Sequence, residues 1–251
     1  MKGILFQPWK IKAISANPDK EWQTRRAGGL DVLNRKTDSA DQPNSPDEYS
    51  FLGFDGKVAD FSRYAGNHRG MSVGIIYHLK PRYLLGEVVY IKEAWCLGAY
   101  TYKKGADIIY KLGSKSEEVS VRTIPWNDWL ETHSPYGSSN VVEAKWRSPR
   151  FMPAWAARYF VKIIGVREER TKDITPEDCL AEGIERHEDS GHNIFWFEPI
   201  GDYHGKFQGV TAHESYFALY DSINGDGAHK RNWNWKYSFV KVDKPEIPHS
   251  P

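Results

Sequence analysis

Two cysteines among 251 residues, Cys96 and Cys179, cannot build a disulfide framework and fit a reducing compartment. No apolar run approaches the roughly 18 residues of a membrane helix. The opening "MKGILFQPWK" has too short an apolar stretch for a signal peptide. A cytoplasmic setting without a membrane partner is therefore expected. Charge of one sign is also missing: 34 lysines and arginines against 33 carboxylates leave a net charge of +1. No global field attracts a polyanion, so any nucleic-acid contact has to come from a local basic patch. The isolated glycines form neither a P-loop nor a dinucleotide fingerprint, and no G-x-S-x-G elbow is present. No cofactor is expected.

Aromatics are abundant, with ten Trp, fourteen Tyr and eleven Phe. Such rings fill cores, and they also stack on bases and line apolar clefts. At this length the chain can form a substantial core, and no linker clean enough to divide it stands out. A single domain over 1–251 is expected, with insertions at about 27–80 and 98–145.

"GILFQPW" begins as a short strand, and "WKIKAIS" reads as a short helix stopped before Asn17-Pro18. "RKTDSADQPNSPDEYS" has almost no apolar residue and reads as a loop. In "GEVVYIKEAW", Val89, Ile91, Glu93 and Trp95 share one strand face by the period of two. Glu93 then lies on the apolar side, where a carboxylate must be paired or hydrogen-bonded. "RYFVKIIGVREER" is a further strand.

In "TPEDCLAEG", Thr175 suits the N-cap, Pro176 the first helical position and Gly183 the stop, while Asp178 completes a capping-box pattern. A longer helix starts at "TAHE" with Ala212, Tyr216, Leu219 and Ile223 as its apolar stripe. "NWNWKYSFVKV" closes the chain as a strand presenting Trp235, Tyr237 and Phe239. Short strands, irregular loops and a few short capped helices predict an α+β, mainly β fold. Its form would be a small β-barrel flanked by helices.

Several constellations bear on chemistry. In "EWQTRR", residues 21–26, the Thr24 hydroxyl beside the forks of Arg25 and Arg26 suits bidentate phosphate contacts, or is a solvated basic turn. Lys20 lies just upstream, and a lysine near a hydroxyl acts as a base if burial lowers its pKa. Glu182 ends its helix where the macrodipole disfavours a negative charge, so it is either an exposed glutamate or a carboxylate held toward a site. "RSPRFMPAWAAR" interleaves Arg147, Arg150 and Arg158 with Phe151 and Trp155, with Trp146 just before them. This is the composition of a nucleic-acid face or of aromatics capping a core. His187, His192 and His204 have no cysteine cluster to support them and match no metal-ligand spacing, so no metal is expected.

Taken in order, "WQTRR", "LLGEVVYIKEAW", "SPRFMPAWAARYFVKIIGVREERTKDITPEDCLAEGI" and "YDSINGDGAHKRNWNWKYSFVKV" resemble the ASCH-domain proteins. They are most similar to the larger form found in bacteriophages and prophages. The resemblance covers roughly half the chain, and residues 148–184 are its most specific part. It implies a PUA-like β-barrel with a cleft beside the helix, binding of RNA, nucleotides or modified bases, and the cytoplasm of a bacterial host. One bacterial branch removes the acyl group from N4-acylated cytidine with a Lys, a Thr and a Glu. Thr24 and Glu182 match two of these positions. The lysine position holds Glu21, which leaves Lys20, one residue earlier, as the candidate.

Three readings follow. In the first, a nucleobase, nucleotide or nucleic-acid binding module uses Arg25 and Arg26 toward phosphate, with Arg150 among its binding residues. Trp95 or Trp155 offers a stacking face, and Glu93 meets a base edge or ties down an arginine. In the second, an amidohydrolase uses Thr24 as nucleophile, Lys20 to activate it and Glu182 to move protons. The third is a phage accessory protein that contacts other proteins through its insertions.

Overall fold

Strands are the commonest element of the described residues because β-branched and aromatic residues cluster in short runs separated by Gly, Pro, Asn and Asp. A computed structural model describes residues 1–34, 49–68, 71–101, 105–111, 119–124, 146–189, 192–196 and 211–245. Among these, strands predominate over helices, in sheets, as expected of an α+β, mainly β chain. No helix among the described residues is long and apolar enough to cross a membrane.

The chain divides into two compact units assembled from separated segments. The first takes residues 1–18, 88–161 and 241–251, the second 19–87 and 162–240. Neither is continuous, so the division leaves no linker in a sequence that reads as one domain.

In the first unit β1 (Gly3–Leu5) leads into α1 (Pro8–Ala16), where proline occupies the first helical turn, its missing N–H costing nothing. In the second unit β2 (Trp22–Arg26) is followed by the single-turn α2 (Asp31–Asn34). Next come β3 (Tyr49–Phe54), β4 (Ala59–His68) and β5 (Met71–Leu79), a three-stranded antiparallel sheet. The β3–β4 turn is made by Asp55-Gly56. The Asp55 carboxylate accepts from the backbone N–H groups of Lys57 and Val58 at 2.7 and 2.6 Å, and Gly56 takes the positive φ of 90°.

Back in the first unit, β6 (Val88–Lys92) pairs in parallel with β1, with Ile4 opposite Ile91. A second antiparallel sheet joins β7 (Trp95–Thr101), β8 (Gly105–Lys111) and β9 (Val119–Ile124). Both stretches expected as insertions carry a three-stranded sheet, and the short strand legible in "DIIYKL" falls in β8. Residues 35–48, most of the expected loop, and 125–145 lie outside the described residues.

"GEVVYIKEAW" divides into β6 and β7. The break falls at Glu93-Ala94 because the Glu93 N–H donates to the Met152 sulfur at 3.1 Å, and Trp95 forms a bridge with Arg147. The expected face survives the break, with Val89, Ile91, Glu93 and Trp95 all buried. Trp95 also joins Leu97, Ile108, Tyr110, Met152 and Phe160 in the first unit's core.

The chain passes to the second unit within β10 (Phe160–Arg170). Helix α3 (Pro176–Glu182) starts and stops where the sequence predicts. Thr175 Oγ1 accepts from the Asp178 N–H at 3.2 Å, and Gly183 ends it in the left-handed conformation at φ 109°. A hairpin of β11 (Glu185–Asp189) and β12 (His192–Trp196) follows. Helix α4 (Ala212–Asn224) is capped by Thr211, whose hydroxyl accepts from the Glu214 N–H at 3.2 Å. It buries Ala212, Tyr216 and Leu219 as expected, whereas Ile223, one residue from its end, is 58% exposed.

Helix α5 (Ala228–Arg231) leads into β13 (Trp233–Val242), which lies between β10 and β2. The β13 face of Trp235, Tyr237 and Phe239 is fully buried, and so is the opposite face at Asn234 and Lys236. Its central position explains this, since a strand flanked on both sides and packed on both faces has no side toward water. Polar residues there need partners. Asn234 accepts from Tyr220 at 2.8 Å and donates to Thr171 at 2.5 Å.

Candidate functional site

Strand β2 lies antiparallel to β13, with Thr24 opposite Tyr237, Arg25 opposite Lys236 and Arg26 opposite Trp235. Alternation puts Trp22, Thr24 and Arg26 on one face and Gln23 and Arg25 on the other. Helix α3 carries Asp178 and Glu182 four residues apart, hence on one helical face, and that face meets Arg25.

The Arg25 guanidinium, with no exposed side-chain surface, donates to three carboxylates. It reaches Glu169 Oε2 at 2.6 Å through Nε, Asp178 Oδ2 at 2.8 Å through Nη2 and Glu182 Oε1 at 3.3 Å through Nη1. Lys236 donates to the same oxygen of Asp178, and Arg167 Nη2 reaches Glu169 Oε1 at 2.8 Å from an exposed position. Burial works to lower the Arg25 pKa, but Glu182, Tyr216 and Glu169 outweigh it and the net displacement is upward. Asp178 shows the mirror case. Burial pushes its carboxyl up, and Lys236 and Arg25 overcome this, holding it below its ordinary 3.8.

This geometry corrects two expectations. Arg25 was expected to face phosphate, and it is spent on the carboxylates of β10 and α3. Only half of the expected capping box forms, because the Asp178 carboxylate turns to Arg25 and Lys236. Glu169 and Lys236 had no role in the sequence reading. The signal for Lys236 was charge on an otherwise apolar strand, as for Glu93. Glu169 sits in the charged run Arg167-Glu168-Glu169-Arg170, and nothing in the sequence set it apart.

Glu182 is buried and not an exposed glutamate, with Arg25 as the compensating cation. Its charge also acts on Arg26, a half-buried residue. Desolvation lowers the Arg26 pKa against the opposing pull of Glu182, Tyr83 and Tyr216. Burial raises the Tyr216 phenol well above its ordinary value, with Glu182 adding to it, so Tyr216 stays a neutral donor. Burial likewise pushes the Cys179 thiol up to about 12, which makes it inert.

Thr24 is buried. Lys20 is exposed, with its amine 4.3 Å from the centre of the Trp22 ring and 3.5 Å from the Leu180 carbonyl oxygen. Glu182 therefore meets the Arg25 face of β2, Thr24 and Arg26 lie on its opposite face, and Lys20 is exposed beside Trp22 and Leu180.

The remaining candidates lie in the first unit. Glu93 ties down an arginine, one of its two expected roles. Arg158 donates to it through Nε at 2.9 Å and Nη2 at 2.6 Å, a two-pronged grip. The guanidinium also lies 4.5 Å from the Tyr110 ring centre and 4.7 Å from that of Tyr159. Burial raises the Glu93 pKa against the lowering influence of Arg158. Trp95, expected as a stacking face, is fully buried. It meets Trp155 edge-on at 5.9 Å and 89°, and Arg147 lies 5.1 Å from its ring centre. Trp155 is half-buried against the same core, and Arg150 is exposed.

Among the described residues no group of three or more His, Cys, Asp and Glu is placed to hold a metal ion. The cluster around Arg25 fits this, since its carboxylates are already compensated by guanidinium and ammonium. The side chains of His187 and His192, and all of His204, lie outside the described residues. Compared with protein families, curated proteins and solved structures, the chain matches none.

Proposed function

We propose that the chain is a nucleobase- or nucleotide-binding module of the ASCH, PUA-like type, of phage or prophage origin, acting in the cytoplasm of a bacterial host. Its ligand-facing residues are Glu182 and the half-buried Arg26, on which the Glu182 charge acts, at the mouth of the barrel cleft that such a fold implies. Thr24 is buried on the face of β2 turned away from Glu182. Glu182, held by Arg25, is a positioned acceptor of the kind that recognises an exocyclic amino group such as that of cytosine. Tyr216 is a neutral donor near it, and Arg26 supplies positive charge toward phosphate.

The observation that carries binding over turnover is the placement of Lys20. A lysine that activates a threonine must reach its hydroxyl. The Lys20 amine instead lies in an exposed position over Trp22 and against the Leu180 carbonyl. Glu182, moreover, is engaged by a guanidinium instead of being free to shuttle a proton.

Titrating the protein with cytidine, cytidine monophosphate and N4-acetylcytidine at low salt tests this reading. Saturable binding that weakens about tenfold or more in Glu182→Gln is expected, because a positioned polar partner of a bound base discriminates by about that much. N4-acetylcytidine should be recovered intact. Acetate release abolished by Thr24→Ala would establish the amidohydrolase instead. Absence of any binding at low salt would leave contact with other proteins as the surviving reading.

A further inference from the structure

The net charge of +1 conceals a division. The segments of the first unit carry fifteen lysines and arginines against nine carboxylates, whereas those of the second carry nineteen against twenty-four. Three of the nine carboxylates lie among the described residues of the first unit: Glu93, Asp107 and Asp243. Glu93 is buried under Arg158, and Asp107 accepts from Thr123 at 2.6 Å. Counting all nine, the segments of the first unit still carry six more cations than carboxylates.

Part of this excess surrounds an unusual surface turn. Residues 149–151 form a single 3-10 turn capped by Ser148, and the segment is fixed from below. Arg147 bridges to Trp95, Tyr90 donates to the Met152 carbonyl at 2.9 Å, and the Lys92 ammonium donates to the Arg150 carbonyl at 2.9 Å. Met152 is buried in the core, yet its neighbour Phe151 is 74% exposed and Trp146 is 40% exposed. A phenylalanine held outward on a rigid turn forgoes the burial that normally stabilises a fold. The Arg150 side chain beside it is exposed, and Arg147 and Lys92 flank the same turn.

We infer that this turn is a platform for single-stranded nucleic acid. Phe151 and Trp146 stack on unpaired bases, and Arg150, Arg147 and Lys92 meet the phosphates between them. Rings held outward among cations suit a single strand, whose base faces are free, and not a duplex, whose faces are stacked away. The cations on and beside the turn, Arg150, Arg147 and Lys92, supply the electrostatic complement. The residues differ from those of the β2–α3 region, so the platform stands or falls apart from nucleobase binding there.

The test is fluorescence anisotropy with labelled oligouridine and oligothymidine about twelve nucleotides long, within the range of single-strand sites, and a duplex of equal length. Cytidine titrations run on the same samples. Both single strands are expected to bind more tightly than the duplex. Phe151→Ala should weaken them about tenfold, with Phe151→Trp restoring affinity and cytidine binding unchanged. Arg150→Ala should flatten the plot of log affinity against log salt by about 0.7. Both side chains are exposed, so unchanged thermal unfolding is expected of the variants. Equal affinity for duplex, or an unchanged Kd in Phe151→Ala, overturns the platform even where cytidine binds. Oligomer binding that depends on Phe151 without any cytidine binding sustains the platform and removes the β2–α3 reading. A preference for oligouridine over oligothymidine identifies RNA as the source, and the reverse identifies DNA.

Discussion

The Arg25 guanidinium meets the Asp178 carboxylate at 2.8 Å, and no part of the Arg25 side chain reaches solvent. The pair ties strand β2 to helix α3, with Glu182 one helical turn further along the same helix face. Whatever Glu182 does for a ligand, it does from a position that this pair holds.

Arg25→Ala is therefore predicted to be a folding defect before it is a binding defect. Removing one partner of a buried ion cluster leaves charges uncompensated and costs about 3–5 kcal/mol. A urea titration should show the loss in midpoint without ligand present. If Arg25 served phosphate from an exposed position, the variant would unfold like the parent and lose affinity alone.

The same cluster makes stability depend on acid. Asp178 is held below its ordinary 3.8 in the folded chain, so the unfolded chain binds its proton first as pH falls. Its stabilising contribution is complete above that value and is lost as pH drops through the lower, folded one. Unfolding midpoints measured across the acid range should fall more steeply in the parent than in Asp178→Asn. Parallel curves would show that the carboxylate carries no such linkage. Glu93 works in the opposite sense. Its raised pKa makes the folded state retain the proton longer, so its contribution declines as pH rises from the unfolded value through the folded one.

Trp95 and Phe151 separate a core aromatic from a surface one. Trp95→Ala removes a fully buried ring packed against Trp155 and is predicted to cost about 3–5 kcal/mol. Phe151→Ala should fall within about 0.5 kcal/mol of the parent, as surface substitutions do. Thermal or denaturant unfolding of the two variants side by side decides this. A large loss from Phe151→Ala would mean that the ring is covered in solution.

Legibility in the sequence followed the range of the interactions. Thr175, Pro176 and Gly183 foretold both ends of α3, because a cap is satisfied within four residues of itself. The burial of Glu93 followed from its place in a period-two pattern. The β3–β4 hairpin was also written locally, in Asp55-Gly56 between "YSFLGF" and "VADFSRY", a turn signal that the overall Gly, Asp and Ser content obscured. Arg25 was different. Beside Arg26 it looks like half of a basic pair, and nothing within ten residues supplies a carboxylate that answers it.

The sequence by itself determined the local grammar: the α+β, mainly β character, the helix caps, the strand faces and the requirement that Glu93 be paired or hydrogen-bonded. Only the tertiary structure decided which cation and which carboxylates. Arg158 is 65 positions from Glu93, and Asp178 is 153 from Arg25. The physical reason is that a buried charge specifies the kind of partner it needs, because desolvation is costly without one. Which residue fills that need depends on strand order and helix docking, and no local spacing encodes either.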